Sequence, residues 1–273
     1  MAAIPIDIYG DIMSGKSFAR TFIKKGEECF VIAPTSQSSF LTTSDGNPVK
    51  PFDCTYTIKG KDYKLSDLAV SQDKTLVQTL LTVAKDTTNT LKSVEGNYTQ
   101  CTLMDIQVIL RFINKNMLHI KNIFIADFTH FLTQQITSLG FRNRKDGGEA
   151  FARYVDLASD TMQNMVYVAN ILRSDILLFK EYHIDFNQDT KKFNYFVPQG
   201  KQLCGNFKIE GVSNYLFAAI PKLDEDTGEL EEYRFATKPI GGYHARTLGI
   251  FDTTFIPNDL EFIITKIREK EGI

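Results

Sequence analysis

The chain has 273 residues, 43% hydrophobic and 23% charged, with a formal net charge of −2. This is the composition of an ordinary globular protein, long enough for one large α/β domain, and any nucleic-acid binding would have to come from a local patch. Cys29, Cys54, Cys101 and Cys204 form no C-x-x-C pair and no H-E-x-x-H occurs, so no zinc site or disulfide framework is expected; the acidic start and the lack of long apolar runs likewise predict no signal peptide and no membrane partner.

In chain order, the alternation of Ile4, Ile6 and Ile8 predicts a short strand. Directly after it stands Gly10-Asp11-Ile12-Met13-Ser14-Gly15-Lys16-Ser17, a complete G-x-x-x-x-G-K-[ST] phosphate loop, followed by an expected helix over Phe18 to Lys25. The residue types suit the chemistry. Glycines let successive N–H groups face one anion, and a helix N-terminus adds its positive end. Lys16 can reach the β- and γ-phosphates, and the Ser17 hydroxyl can ligate Mg²⁺. Phe18 closes the candidate nucleotide-binding segment.

A second strand is expected at Cys29 to Ala33. Residues 35 to 72 are rich in Ser, Thr, Asp, Gly and Pro and read as an insertion. It contains a hairpin of Thr55–Ile58 and Asp62–Lys64 about a Lys59-Gly60 turn. Helices are expected over 73–92 and 102–117. Asn122-Ile123-Phe124-Ile125-Ala126-Asp127 is an apolar run ending in an acid. Such a strand is expected beside the phosphate loop, with Asp127 facing the metal; a helix-capping acid is the structural alternative.

Residues 133–148 read as a polar loop and 149–172 as a long amphipathic helix. Ile176 to His183 reads as another core strand. Short strands are expected at 192–197, 215–220 and 231–237, with a turn at Asp224–Gly228. A last helix over 258–270 has Asn258 as its expected cap. Alternating strands and helices imply an α/β fold, a mostly parallel sheet flanked by helices with a C-terminal strand-rich part. The whole of 1–273 reads as one domain.

The motif order resembles that of phage-encoded RecA-like P-loop ATPases associated with single-strand annealing and recombination. Carrying the resemblance are the phosphate loop, Phe124–Thr129, the strand ending at His183, Tyr233–Thr237, Ala245–Phe251 and Ile256–Leu260. Residues 35–120 are not covered by it. The resemblance implies a RecA-like core, ATP with Mg²⁺, self-association into a ring or filament, and residence in the cytoplasm of an infected host cell. It implies that Ser17 and Asp127 serve the metal, that His183 senses the γ-phosphate, and that Arg246 is a finger offered to a neighbouring subunit's nucleotide. His183 as a plain strand-end histidine and Arg246 as a solvated loop residue stand beside these roles.

The resemblance also places DNA-contacting loops at Arg142, Arg144 and Lys145 with Phe141, and at Lys191, Lys192 and Lys201 around Phe193, Tyr195 and Phe196. Cations that track phosphates and rings that stack on bases suit single-stranded DNA; solvated loops with inward-packed rings are the alternative. One departure concerns hydrolysis. RecA-like enzymes usually carry a glutamate after the second strand, whereas Ala33-Pro34-Thr35-Ser36-Gln37 has no acid. Gln37 could orient a water, and Glu95 or Glu181 could substitute. The expected function is thus an ATP-binding, slowly hydrolysing protein acting on single-stranded DNA. A nucleotide-dependent assembly or packaging factor is the second reading. A small-molecule kinase is disfavoured by the absence of an arginine-rich lid segment.

Overall fold

The computed structural model describes residues 2–11, 13–32, 44–46, 55–58, 61–64, 103–139, 168–195 and 213–273. Its centre is a seven-stranded sheet. The strands are β1 (Ile4–Gly10), β2 (Cys29–Ile32), β5 (Asn122–Ile125), β6 (Leu177–Tyr182), β9 (Tyr215–Leu223), β10 (Leu230–Ala236) and β11 (Phe255–Pro257). Their order is β11-β10-β9-β1-β6-β5-β2. The five strands from β9 to β2 are parallel, and β10 and β11 add antiparallel at one edge. Parallel strands deliver their carboxyl ends to one side of the sheet, where ligands of open α/β folds bind. Gly10, Asp127 and His183 therefore come out together.

Two layers of side chains cover the sheet. One contains Tyr9, Phe30, Leu178 and Tyr182 with Ile106, Leu110 and Ile113 of α1 (Leu103–Asn116) and Phe128, Phe131 and Leu132 of α2 (Phe128–Leu139). The other contains Ile6, Ile8, Phe124, Phe179 and Phe217 with Ile263 and Ile267 of α3 (Leu260–Glu271). Ile4, Ile6 and Ile8 all fall in the second layer, as a period of two requires. The intervening Asp7 and Tyr9 are buried as well, so β1 is covered on both faces. A buried carboxylate is costly unless paired. Asp7 Oδ1 lies 3.2 Å from Lys180 Nζ, its register partner on β6.

Several expectations need correction. The segment after the phosphate loop is a five-residue 3-10 helix, Phe18–Phe22, and not a helix reaching Lys25. Thr21 and Ile23 are β-branched and Phe18 and Phe22 aromatic, all weak helix formers. Ile23 turns extended (ψ 124°) and buries its side chain beside α3. β5 reaches the same sheet end as the phosphate loop with β6 standing between it and β1. Residues 133–139 of the expected polar loop are helical, since Phe128, Phe131 and Leu132 supply an apolar helical stripe that carries α2 onward, and residues 140–148 lie outside the described residues.

The last helix is capped by Asp259 and not by Asn258. Asp259 is extended (φ −132°, ψ 107°), and its carboxylate accepts the Phe262 N–H at 3.1 Å and complements the helix dipole. Two unexpected strands occur. β7 (Ile184–Asn187) folds back on β8 (Lys192–Tyr195) as a separate hairpin, and β11 edges the sheet.

The hairpin of β3 (Thr55–Ile58) and β4 (Lys61–Lys64) forms where expected, as its own two-stranded sheet. Its turn, the helix expected over 73–92 and residues 149–167 of the long expected helix lie outside the described residues. Val168–Ile171, over which that long helix was expected to run on as α-helix, forms a 3-10 turn. Among the described residues, no helix is long and apolar enough to cross a membrane.

Candidate functional site

The phosphate loop is shaped by two glycines with different constraints. A Cβ at Gly10 would lie 2.5 Å from Ser14 Oγ and 2.7 Å from the Ala219 carbonyl oxygen. Gly15 has φ +88° and backs onto the Tyr233 ring, which a Cβ would meet at 2.6 Å. The turn itself is closed by the Ser14 N–H donating to the Asp11 carbonyl at 3.2 Å. Met13 also has positive φ (64°) and leaves its side chain 83% exposed, a strained conformation for a residue with a Cβ. Ile12 lies outside the described residues.

Lys16 curls over the loop. Its Nζ donates to the Gly10 carbonyl at 2.8 Å, the Asp11 carbonyl at 2.6 Å and Ser14 Oγ at 3.3 Å. Burial pushes its pKa below the ordinary lysine value, while Glu181, Asp127 and Asp11 oppose that shift by favouring the ammonium. An arriving phosphate would exchange carbonyl acceptors for charged oxygens, a stronger bond for the same donor. Ser17 is the N-cap residue of the 3-10 turn, yet its side chain makes no capping bond. Phe18 is 48% exposed, with its ring 5.5 Å from Phe22 and 5.8 Å from Tyr233. So short a helix supplies little macrodipole, which leaves anion attraction to Lys16 and the loop amides.

Across β6 from the loop, Asp127 sits with φ +52° between β5 and α2. Its Oδ1 accepts from His183 Nε2 at 2.9 Å and from the His130 N–H at 3.3 Å. The helix-capping alternative is therefore realised, and the histidine contact comes with it. Burial alone would raise the Asp127 carboxyl. The His183 hydrogen bond, the His183 and His130 charges and the His130 amide outweigh burial and hold it below the ordinary aspartate value. Because a carboxylate only accepts, Nε2 of His183 carries a proton. Its Nδ1 is buried without a hydrogen-bond partner among the described residues. The His183 N–H donates to Thr129 Oγ1 at 3.0 Å, and Thr133 Oγ1 donates to the Thr129 carbonyl at 3.0 Å. These bonds lock the end of β6 to the first turns of α2.

A cavity of about 290 Å³ joins Asp11 of the loop to Asp127, Thr129, His130, Thr133 and His183. Thr129, His130 and Thr133 were not legible as site residues; Thr133 fell at the start of the expected polar loop, and no helix was expected over Thr129 and His130. The helical stripe Phe128, Phe131, Leu132 was the signal that places them.

Other candidates lie elsewhere. Glu181 is buried and ion-paired with Arg20, so it is not a free acid for orienting water. Arg246 pairs its backbone with Leu216 (2.8 and 2.9 Å), and its guanidinium donates to the Ser213 carbonyl. Leu216 is in register with Asp7, so Arg246 is set back from the chain's own phosphate loop. Lys191 and Lys192 are exposed at the β7–β8 hairpin. Phe193 is stacked on Tyr243 at 4.2 Å, packed and not presented to a base. Gln37, Glu95, Phe141, Arg142, Arg144, Lys145, Phe196 and Lys201 lie outside the described residues, as does the side chain of Tyr195.

No protein-family model matches the chain. No curated protein matches it. Among solved structures it is similar to a KaiC-like protein from the hyperthermophilic archaeon Pyrococcus horikoshii, with 9% sequence identity, coverage of 88% of this chain and 80% of that one, and a TM-score of 0.39. So loose a superposition assigns neither ligand nor activity to this chain.

Proposed function

We propose that this chain binds ATP with Mg²⁺ at the phosphate loop and hydrolyses it slowly, in the manner of RecA-like ATPases. The observation that carries the reading is the polar cavity running from Asp11 to the Asp127–His183 pair, at the same sheet end as Lys16. Amides of the Gly10–Ser17 turn would cradle the phosphates, with Lys16 on their terminal oxygens. The donor set fits a hard cation: the Ser17 hydroxyl is not spent on capping, and both Asp127 bonds fall on Oδ1, with none recorded at Oδ2 among the described residues. Mg²⁺ held there would neutralise charge on the β- and γ-oxygens. His183, tied to Asp127 through Nε2, would report the terminal phosphate by exchanging that bond. Commitment of Glu181 to Arg20 removes that glutamate as a group to orient water, which supports slow turnover. Arg246 would complete the site from a neighbouring subunit.

The finer reading is action on single-stranded DNA in phage recombination, annealing or replication, through Lys191 and Lys192 with Arg142, Arg144, Lys145 and Lys201. The Phe193–Tyr243 stack favours the second reading, an assembly or packaging factor with a protein partner, because it withdraws a ring from base stacking. ATP turnover measured with and without single-stranded oligonucleotide, across salt, separates them. Stimulation and binding that weaken steeply with salt are expected for the DNA reading. Turnover indifferent to DNA, with no oligonucleotide bound at low salt, sinks it in favour of the assembly factor.

A further inference from the structure

The turn that follows the phosphate loop is too short to hold the loop by itself. It is a five-residue 3-10 helix: one α-type bond runs from Ala19 N–H to the Gly15 carbonyl at 3.0 Å, and 3-10 bonds run from Arg20 N–H to the Ser17 carbonyl at 3.3 Å and from Ile23 N–H to the Arg20 carbonyl at 3.2 Å. The 3-10 bonds are poorly aligned, and runs of this kind are weak. Arg20 nevertheless projects from it into the sheet and meets Glu181 on β6, and each side chain is only 2% exposed. Glu181 is the register partner of Ile8 and lies two residues before His183. One buried ion pair thus joins the turn carrying Lys16 and Ser17 to the strand carrying His183. Burying two charges is a poor route to stability, and an apolar pair of similar volume often does as well or better. Arg20 also keeps a buried Nε without a hydrogen-bond partner among the described residues, a further cost. The pair's return must therefore lie in geometry.

We propose that Arg20 and Glu181 are positioning residues that fix the phosphate loop over the β1–β6 seam, so that Lys16 and the loop amides are preorganised for the nucleotide's phosphates. The inference rests on the nucleotide reading above for its purpose, but not for its first readout. Fixing the loop restrains its amides in the free protein, and it lowers the ordering cost when phosphate arrives.

The test compares wild type, Glu181→Gln and the apolar pair Arg20→Met/Glu181→Leu, by thermal unfolding, amide exchange over residues 13–20 of the free protein, and ATP titration. The apolar pair is expected to keep the wild-type Tm, yet to exchange these amides about tenfold faster and bind ATP about tenfold more weakly. Glu181→Gln should fall between, and Arg20→Lys should recover most of the affinity. Wild-type exchange in an apolar pair of wild-type Tm would show that the salt bridge only fills space and overturn the proposal. If the apolar pair does not fold, unchanged exchange in Glu181→Gln overturns it equally. If wild type itself binds no ATP, the nucleotide reading falls, while the exchange measurement still decides whether the pair holds the loop.

Discussion

The β1–β6 seam and the β9–β10 seam lie two strands apart and treat charge in opposite ways. Between β1 and β6 the sheet buries Asp7 against Lys180 in one layer and, through Arg20, Glu181 in the other. Between β9 and β10 the fully buried side chains are apolar, with Phe217 and Phe235 packed edge to face at 6.1 Å; the half-buried Arg234 lies over the Phe255 ring, and the ion pair Lys222–Glu231 stays at the solvent end. Hydrophobic strands need no buried charge to pair. A sheet that accepts that cost beside its phosphate loop and avoids it two strands away is specifying geometry at the first place and only stability at the second.

The sharpest way to break this contrast is at the loop itself. Lys16→Ala is expected to abolish turnover or weaken ATP binding by a few kcal/mol, as loss of a charge-assisted contact does. Unchanged titration of ATP into a folded Lys16→Ala protein would remove the distinction between the seams. Next comes Arg246, on the β9 side. As a finger toward a neighbour's nucleotide it would contribute about 10³-fold to turnover. Arg246→Ala should then keep ATP binding, lose turnover, and regain part of it when mixed with Lys16→Ala subunits. A loss of Tm alone, with turnover intact, would return Arg246 to its bond with Ser213.

A smaller effect concerns acid stability. The folded Asp127 carboxyl lies below its ordinary value of 3.8, so its contribution is present above that pH and disappears as pH falls through the depressed value. Asp127→Asn is expected to flatten the Tm profile below about pH 4. The least effect is expected at the edge. Lys222→Ala should leave Tm unchanged within error, since the Lys222–Glu231 pair is exposed and screened. A clear destabilisation there would mean that surface charge matters to this sheet as much as buried charge.

The phosphate loop was legible because its residue types are marked within one turn: Gly15 takes φ +88° and Lys16 and Ser17 follow it, while Ala219 behind Gly10 and Tyr233 behind Gly15 come from distant strands. The apolar runs of β1, β5 and β6 and the Asp224–Gly228 turn were legible for the same reason, since burial and turn formation act on contiguous residues. The helix after the loop was misjudged because a window that looked continuous hid the pull of Ile23 into the core beside α3. Strand order was not legible, because nothing in β5 says which neighbour it takes; packing put β6 between it and β1.

By itself, then, the sequence determined that a glycine turn of the phosphate-loop pattern follows the first strand and that a mostly parallel sheet supports it. Only the tertiary structure decided what each acid does. Asp127 caps α2 and holds His183, 56 positions onward in the chain. Glu181 was one of the acids open to a catalytic role until Arg20, 161 positions earlier, was found to occupy it. A carboxylate's chemistry depends on whichever cation or donor the fold brings within about 3 Å, and contacts between distant segments are set by how whole strands pair and not by the residues beside them.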